Sequence, residues 1–384
     1  GSELGLSVLG YFVAFTLLGD PSTDLRRRFV RLTPIVGVAA AYAVIYRLLD
    51  YGSSGLGVYH HPLEEPWDFV LSFVTGVPAL LASGIAGFSA DFWFVAPVLR
   101  PVQIAVGCAA TVVLLLALRS RKGERDDAVD NGLRWLLAGS ALSFVPVAAV
   151  FPSDRMLLVP GIGLAAALAV VLAEAFKCLR ARRSRLFVGV GGLIALVHLV
   201  LAPVLLILVQ IMVVDSSRRA QATALSQAVA DAGSKETIVV FAPDHVVGVY
   251  LPVIIGHFDG PSPKSWRPLS IAPYDHFLRR TGERTLELEV EEGGVMLRSL
   301  FEALYRDPEN RLDPGAVLDR GLLRAEILAA NERGPTRVAF HFDRDLSDPS
   351  LYFLVLESGE LRPAVLPAVG EEILLERSIG PAGF

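Results

Sequence analysis

"FPSDRMLLVPGIGLAAALAVVL", residues 151–172, places an acid and a guanidinium side by side between two long apolar runs. Before it stands "WLLAGSALSFVPVAAV" at 135–150, and after it the apolar run continues to about residue 176. Two adjacent charges inside hydrocarbon are costly, so Asp154 and Arg155 mark a turn between two spans. Pro152, Ser153 and Asp154 also form a helix-start signal, with a hydroxyl or carboxylate able to cap the next helix. One reading of the pair is therefore a helix cap beside an interfacial arginine. The other is an arginine aimed at an anionic head group, whose phosphate oxygens suit the guanidinium fork.

The surrounding chain has 384 residues, 53% hydrophobic and 20% charged, with a mean hydropathy of +0.50. Soluble domains carry about 25% charged residues. The average hides two halves. Residues 1–214 hold 17 Lys/Arg and 14 Asp/Glu, clustered between apolar runs. Residues 215–384 hold 18 Lys/Arg against 26 Asp/Glu, a net charge of −8. The fold class expected is a membrane all-α helical bundle at 1–214, then a connecting helix at 215–235. A soluble α+β, β-rich domain comes next at 236–384. The acidic second half argues against nucleic acid as a partner. Cys108 and Cys178 are the only cysteines, so the second half has neither a disulfide framework nor a thiolate metal site.

Runs near 20 apolar residues long can cross a bilayer. They read as spans at 4–19, 33–49, 101–118, 133–151, 156–176 and 186–213. The loops at 20–32, 119–132 and 177–185 are rich in arginine and lysine, whereas 50–66 has none. Basic loops stay on the cytoplasmic side. All three can do so only if 68–99 goes in and comes out on the outer side. That stretch, broken by Gly and Pro and carrying Asp91, reads as a re-entrant or interfacial hairpin, or as two short spans. The topology places the second half on the outer face of a bacterial inner membrane, with membrane lipids as its surroundings. In that half, β-branched and alternating segments predict strands at 237–243, 268–272, 284–293, 322–331, 336–343 and 351–358. A helix is expected at 296–307.

Candidate chemistry is sparse. "VYHHPLEEPWDF" at 58–69 gathers His60, His61, Glu64 and Glu65. These residue types serve metals and general bases, but the i, i+4 helix spacing of a zinc protease is missing. The plain reading is a solvated loop anchored by Tyr59 and Trp67. "GIGLAA" at 161–166 matches a nucleotide fingerprint as a string but lacks the strand that mechanism needs; small residues for helix packing explain it. His198 lies inside the last span, where an imidazole can bond across helices. Asp244 and His245 come just after a strand, without a nucleophile elbow nearby. No cofactor is called for, and a divalent metal has no spacing in its favour.

The run at 151–172 resembles the "S-[DE]-R-[FY]-L-Y-[LV]-P-S-[LI]-G" stretch of polytopic GT-C-type glycosyltransferases. The likeness is nearest to the bacterial relatives of the TPR-containing transmembrane O-mannosyltransferases. Ser153, Asp154, Arg155, Leu157, Pro160 and Gly163 match, while Leu158 and Gly161 depart. The opening "SELGLSVLGYFVAFTLLGDPS", with Glu3, is similar to another helix of the family, and "AAYAVIYRLLDYG" to the next. The resemblance spans roughly residues 2–180. It implies transfer of a sugar from a polyprenyl-phosphate donor to a periplasmic acceptor. Arg155 and Asp154 would then stand at the donor phosphate, with His60, His61, Glu64 and Glu65 lining the outer cleft. The family's catalytic acid would lie upstream of Gly1, and its usual TPR tail is replaced here by 215–384. The alternative is a non-enzymatic envelope protein whose membrane part anchors a periplasmic binding domain.

Overall fold

The computed structural model describes residues 4–19, 24–49, 58–258, 260, 263–307, 310–381 and 383. Glu3 and residues 50–57 of the loop at 50–66 lie outside these residues. The chain forms two compact units, divided at Ile207 and Leu208 inside a helix. The composition alone suggests 214 and 215. A helical region is followed by a strand-rich region with two sheets.

The first unit is helical. α1 (Leu4–Ala14) runs on as a π-helical turn, Phe15–Gly19. Next come α2 (Leu25–Leu48), α3 (Pro66–Ala86), a short α4 (Phe92–Val95), α5 (Arg100–Ser120), α6 (Asp127–Val147), α7 (Gly161–Arg180) and α8 (Arg185–Ala195). α8 passes through a π-helical segment, Leu196–Leu201, into α9 (Ala202–Ala224).

Five stretches among the described residues are long and apolar enough to cross a membrane. They are Arg26–Leu48, Pro66–Ala86, Pro97–Ser120, Gly161–Arg180 and Arg185–Ala232. Two expected spans are not among them. The helix at 4–19 is shorter, and α6 opens with Asp127, Asp130 and Arg134, which lower its hydropathy. α3 is a single unbroken helix of 21 residues despite Pro78, where the sequence predicts a broken one.

Small residues bring the helices together. A side chain at Gly107 of α5 would overlap the Pro78 carbonyl of α3, so only glycine fits that crossing. α1 is tied to α6 by Ser143 Oγ, which donates to the Ser7 carbonyl at 2.6 Å. The Tyr11 hydroxyl accepts from Gly163 N (2.8 Å) and donates to the Val159 and Pro160 carbonyls (3.1 and 3.2 Å). Leu80, Phe144, Leu164, Leu168, Val171 and Phe187 lie in the core.

The second unit has three layers. α9 ends in it and α10 (Gln227–Ala232) comes next. β1 (Glu236–Phe241) is parallel to β2 (Ser265–Pro268) on one side and to β8 (Leu351–Glu357) on the other. β9 (Glu360–Pro363) closes this sheet in the order β2-β1-β8-β9. A second, antiparallel sheet runs β10-β3-β4-β7-β6-β5. Its strands are β3 (His276–Gly282), β4 (Thr285–Val290), β5 (Val317–Asp319), β6 (Leu323–Asn331), β7 (Gly334–Phe342) and β10 (Glu372–Leu375).

The faces of β1 alternate. Ile238 and Val240 pack against Leu278, Leu286 and Leu288 of the antiparallel sheet. Val239 meets Ala224, Val229 and the helix α11 (Leu251–His257). The sequence reading missed β3, β5, β9, β10 and α11, and its strand at 268–272 meets β2 only at Pro268, the rest being loop. The helix expected at 296–307 shrinks to α12 (Leu300–Ala303), started by a capping box between Ser299 and Glu302.

Candidate functional site

The site centres on the extended segment 148–154 and on α3, which runs beside it in the same direction. Ser72 Oγ donates to the Ala148 carbonyl (2.8 Å), Gly76 faces Pro152, and Ser83 Oγ donates to Asp154 Oδ1 (2.7 Å). The stretch 58–99 leaves this segment and comes back to it. At its start Tyr59 pairs with Val150. At its end the Phe94 ring meets Phe151 edge-on, with centroids 4.3 Å apart. Between them the chain reverses at Gly87, whose φ of 72° is the left-handed conformation that ends a helix.

The turn after α3 is fastened by Asp154. Its carboxylate accepts from Ser83 Oγ, Ser89 Oγ and Ala90 N, each at 2.7 Å. Asp91 faces the same segment, and its Oδ1 accepts from Ser153 Oγ (2.6 Å). Gln103, fully buried, donates through Nε2 to the Ser89 carbonyl (2.8 Å), while its Oε1 has no partner. At the end of α3, the Ile85 carbonyl lies 3.0 Å from His198 Nε2. A helix end leaves carbonyls without intrahelical partners, and this imidazole satisfies one of them.

Asp154 and Arg155 do not sit on the crown of a loop. Ser140 Oγ donates to the Pro160 carbonyl (2.6 Å), so α7 begins opposite Ser140. That is seven residues before α6 ends, or about 10 Å along its axis. The segment between the helices doubles back by that amount before α7 starts. Arg155 is exposed on this segment, its guanidinium carbon 5.6 Å from the centre of the Phe151 ring. Neither Arg155 nor Arg100 makes an ion pair among the described residues.

The other expected residues are brought in only partly. His60 joins the segment through its backbone, donating to the Ala149 carbonyl (2.9 Å), and its Nδ1 lies 3.4 Å from Glu65 Oε2. His61 and Glu64 belong to the turn before α3. The His61 carbonyl accepts from Glu64 N and Glu65 N, and His61 Nδ1 accepts from Leu63 N. No group of three or more His, Cys, Asp or Glu side chains suited to a metal occurs among the described residues. The sequence reading missed Ser83, Ser89, Gln103 and Arg100. The one available signal was Asp91, a charge within an apolar stretch.

Two polar groups in the second unit have structural work. Asp244 Oδ1 accepts from Val246 N and Val247 N (2.8 and 3.1 Å), capping the turn that leads into α11. His245 stacks on Phe301 with centroids 3.4 Å apart, and burial lowers its pKa. Ser270 Oγ donates to His276 Nε2 (2.9 Å), and His276 Nδ1 donates to the Tyr274 carbonyl (2.8 Å). Both side chains are buried, so no substrate reaches the pair. Burial pushes His276 down to about 4.

No protein-family model, curated protein or solved structure matches the chain.

Proposed function

We propose that this is a multi-pass membrane protein that holds a lipid-linked sugar phosphate at the exposed Arg155 and transfers the sugar to an acceptor. This is the reaction of the GT-C-type glycosyltransferases that residues 151–172 resemble. One observation carries the reading. Asp154 commits its carboxylate to Ser83, Ser89 and Ala90, leaving the neighbouring guanidinium exposed and without an acid partner. An unpaired arginine beside apolar helices is suited to a phosphate ester.

In the transfer, an acceptor hydroxyl attacks the anomeric carbon and its proton passes to a base. The bond from that carbon to the phosphate oxygen breaks, and the electron pair stays on the lipid phosphate. Arg155 stabilises the charge gathering there. Membrane lipids surround the five long apolar helices. The basic loops lie in the cytoplasm of a bacterium, and the strand-rich unit lies on the outer side of its inner membrane. The reversal at Gly87 supports this arrangement, because it returns the chain to the segment it left.

A second reading, a non-enzymatic envelope protein with an outer binding domain, draws on one observation. Asp154 and Asp91 both bond within the site, which leaves less acid for catalysis. One experiment separates the two readings. Arg155→Ala in the purified full chain is expected to weaken binding of a polyprenyl phosphate in detergent micelles and to abolish sugar turnover from its glycosylated form. Undiminished binding would reject the phosphate role. Binding lost with no turnover in the parent protein favours the second reading.

A further inference from the structure

The strand-rich unit holds a cavity of about 320 Å³ where the β6–β7 turn meets the chain around α12. Arg333 of the turn lines it, together with Arg306 and Arg311 from the stretch between α12 and β5. Leu297, Leu312 and Ala330 line it as well and pack against the core of the antiparallel sheet, which gives the cavity an apolar side.

The turn is held in shape by its own residues. Asn331 Oδ1 accepts from Arg333 N (2.8 Å) and Gly334 N (3.2 Å). Met296 N donates to the Pro335 carbonyl (2.8 Å), which ties the chain beside Leu297 to the start of β7. The Arg333 guanidinium donates to the Gly293 carbonyl. That bond uses one of the five N–H donors of the group and leaves the others for a ligand.

Arg306, Arg311 and Arg333 make no ion pair among the described residues. Acids outnumber bases in this unit, and Arg279, Arg280, Arg337, Arg344 and Arg362 each find a carboxylate. Around a larger cavity beside β9 the charged residues also have partners: Arg219 has Asp215, Asp231 has Gln227 and Glu360 has Arg362. Three unpaired guanidinium groups on one cavity repel one another, and a bound anion relieves that repulsion. Asp313 and Glu332 line the cavity too. Three cations against two acids suit a single oxyanion group and disfavour a polyanion.

We infer that this cavity binds a small organic oxyanion, a carboxylate or a phosphate ester, held by Arg306, Arg311 and Arg333 with its apolar body on Leu297, Leu312 and Ala330. The volume is that of a small-molecule pocket, and guanidinium forks match both kinds of acid group. The inference stands apart from the reading of Arg155, which belongs to the other unit.

The test is isothermal titration of the full chain in detergent micelles, with the heats from empty micelles subtracted. The probes are phenylacetate, phenyl phosphate, inorganic phosphate and benzyl alcohol. Phenylacetate or phenyl phosphate should bind, and the tighter of the two identifies the acid group. Inorganic phosphate, which lacks the apolar body, and benzyl alcohol, which lacks the charge, should each bind at least about tenfold more weakly.

Arg306→Gln and Arg311→Gln should each lower the affinity for the organic acid about tenfold or more and leave the thermal unfolding midpoint unchanged. Arg324→Gln removes an exposed arginine of the same unit that does not line the cavity, and should leave binding as it is. Failure of both organic acids to bind the parent chain would overturn the inference. So would an equal loss in Arg324→Gln, the mark of a general attraction to cations, or inorganic phosphate binding as tightly as phenyl phosphate.

Discussion

Asp154 and Arg155 are neighbours in the chain, yet they do not form an ion pair. The carboxylate turns to Ser83, Ser89 and the Ala90 backbone, and the guanidinium lies over Phe151. The two substitutions should therefore separate stability from binding. Asp154→Ala strands three donors and should cost about 3 kcal/mol or more, since bonds to a charged group are worth about 1.5–3 kcal/mol each. Asp154→Asn, which keeps an acceptor, should cost less. Arg155→Ala removes one cation–π contact, worth about 0.5–1 kcal/mol at an exposed site. Thermal unfolding in detergent gives the comparison. Equal losses in Asp154→Ala and Arg155→Ala would contradict the division of labour.

Gly107 makes a sharper demand on packing. Its α-carbon lies where any side chain would run into the Pro78 carbonyl. Gly107→Ala should force α3 and α5 apart and cost roughly 1–3 kcal/mol, the range for overpacking a close contact. Gly37→Ala in α2, where no atom lies within 4 Å of a built side chain, is the control and should change little. A Gly107→Ala protein as stable as that control would argue against the helix crossing.

The second unit should lose stability in mild acid through His276. Its folded pKa is about 4, against 6.5 for an unperturbed histidine. A lowered pKa means that the unfolded chain takes up the proton first. The contribution is complete above about pH 6.5, falls as pH drops toward 4, and is gone below that. The whole shift corresponds to about 3 kcal/mol. Urea midpoints of the second unit, read by pulse proteolysis between pH 7 and pH 4, should track this course. His276→Gln should flatten the curve. A midpoint insensitive to pH in the parent chain would rule out His276 as the source.

The proposed sidedness predicts a labelling pattern. Single cysteines placed at Lys122 and Arg182, in a background without Cys108 and Cys178, should resist a membrane-impermeant thiol reagent added to intact spheroplasts. Cysteines at Glu64 and Glu292 should react. The opposite pattern would invert the topology.

Much of the architecture could be read from composition because hydrocarbon and water sort residues strongly. Long apolar runs and arginine clusters were enough to find α2, α5, α7 and the α8–α9 helix. Period-two alternation was enough for β4 and β7. The centre of the site was not legible. Asp154 binds Ser83 and Ser89, residues more than sixty positions earlier whose type is common in any helix. Their partnership exists only because α3 runs alongside 148–154. β3 escaped because "HFLRRTG" places Arg279, Arg280 and Thr281 in succession, which blurs the alternation, although Arg279 reaches Glu287 and Glu372 across the sheet. The parallel pairing of β1 escaped for a related reason: strand direction depends on distant partners, not on the strand's own residues.

β1 has a consequence for the order of assembly. It is the first strand of its unit to be made, and its neighbour β8 begins more than a hundred residues later. Contacts that far apart in sequence form slowly. Until Leu351–Glu357 arrives, Ile238 and Val240 have an open sheet edge beside them. Chains cut short before residue 351 should therefore be recognised as unfinished by proteases and chaperones. Completion of the strand-rich unit becomes a late step in the folding of the whole protein.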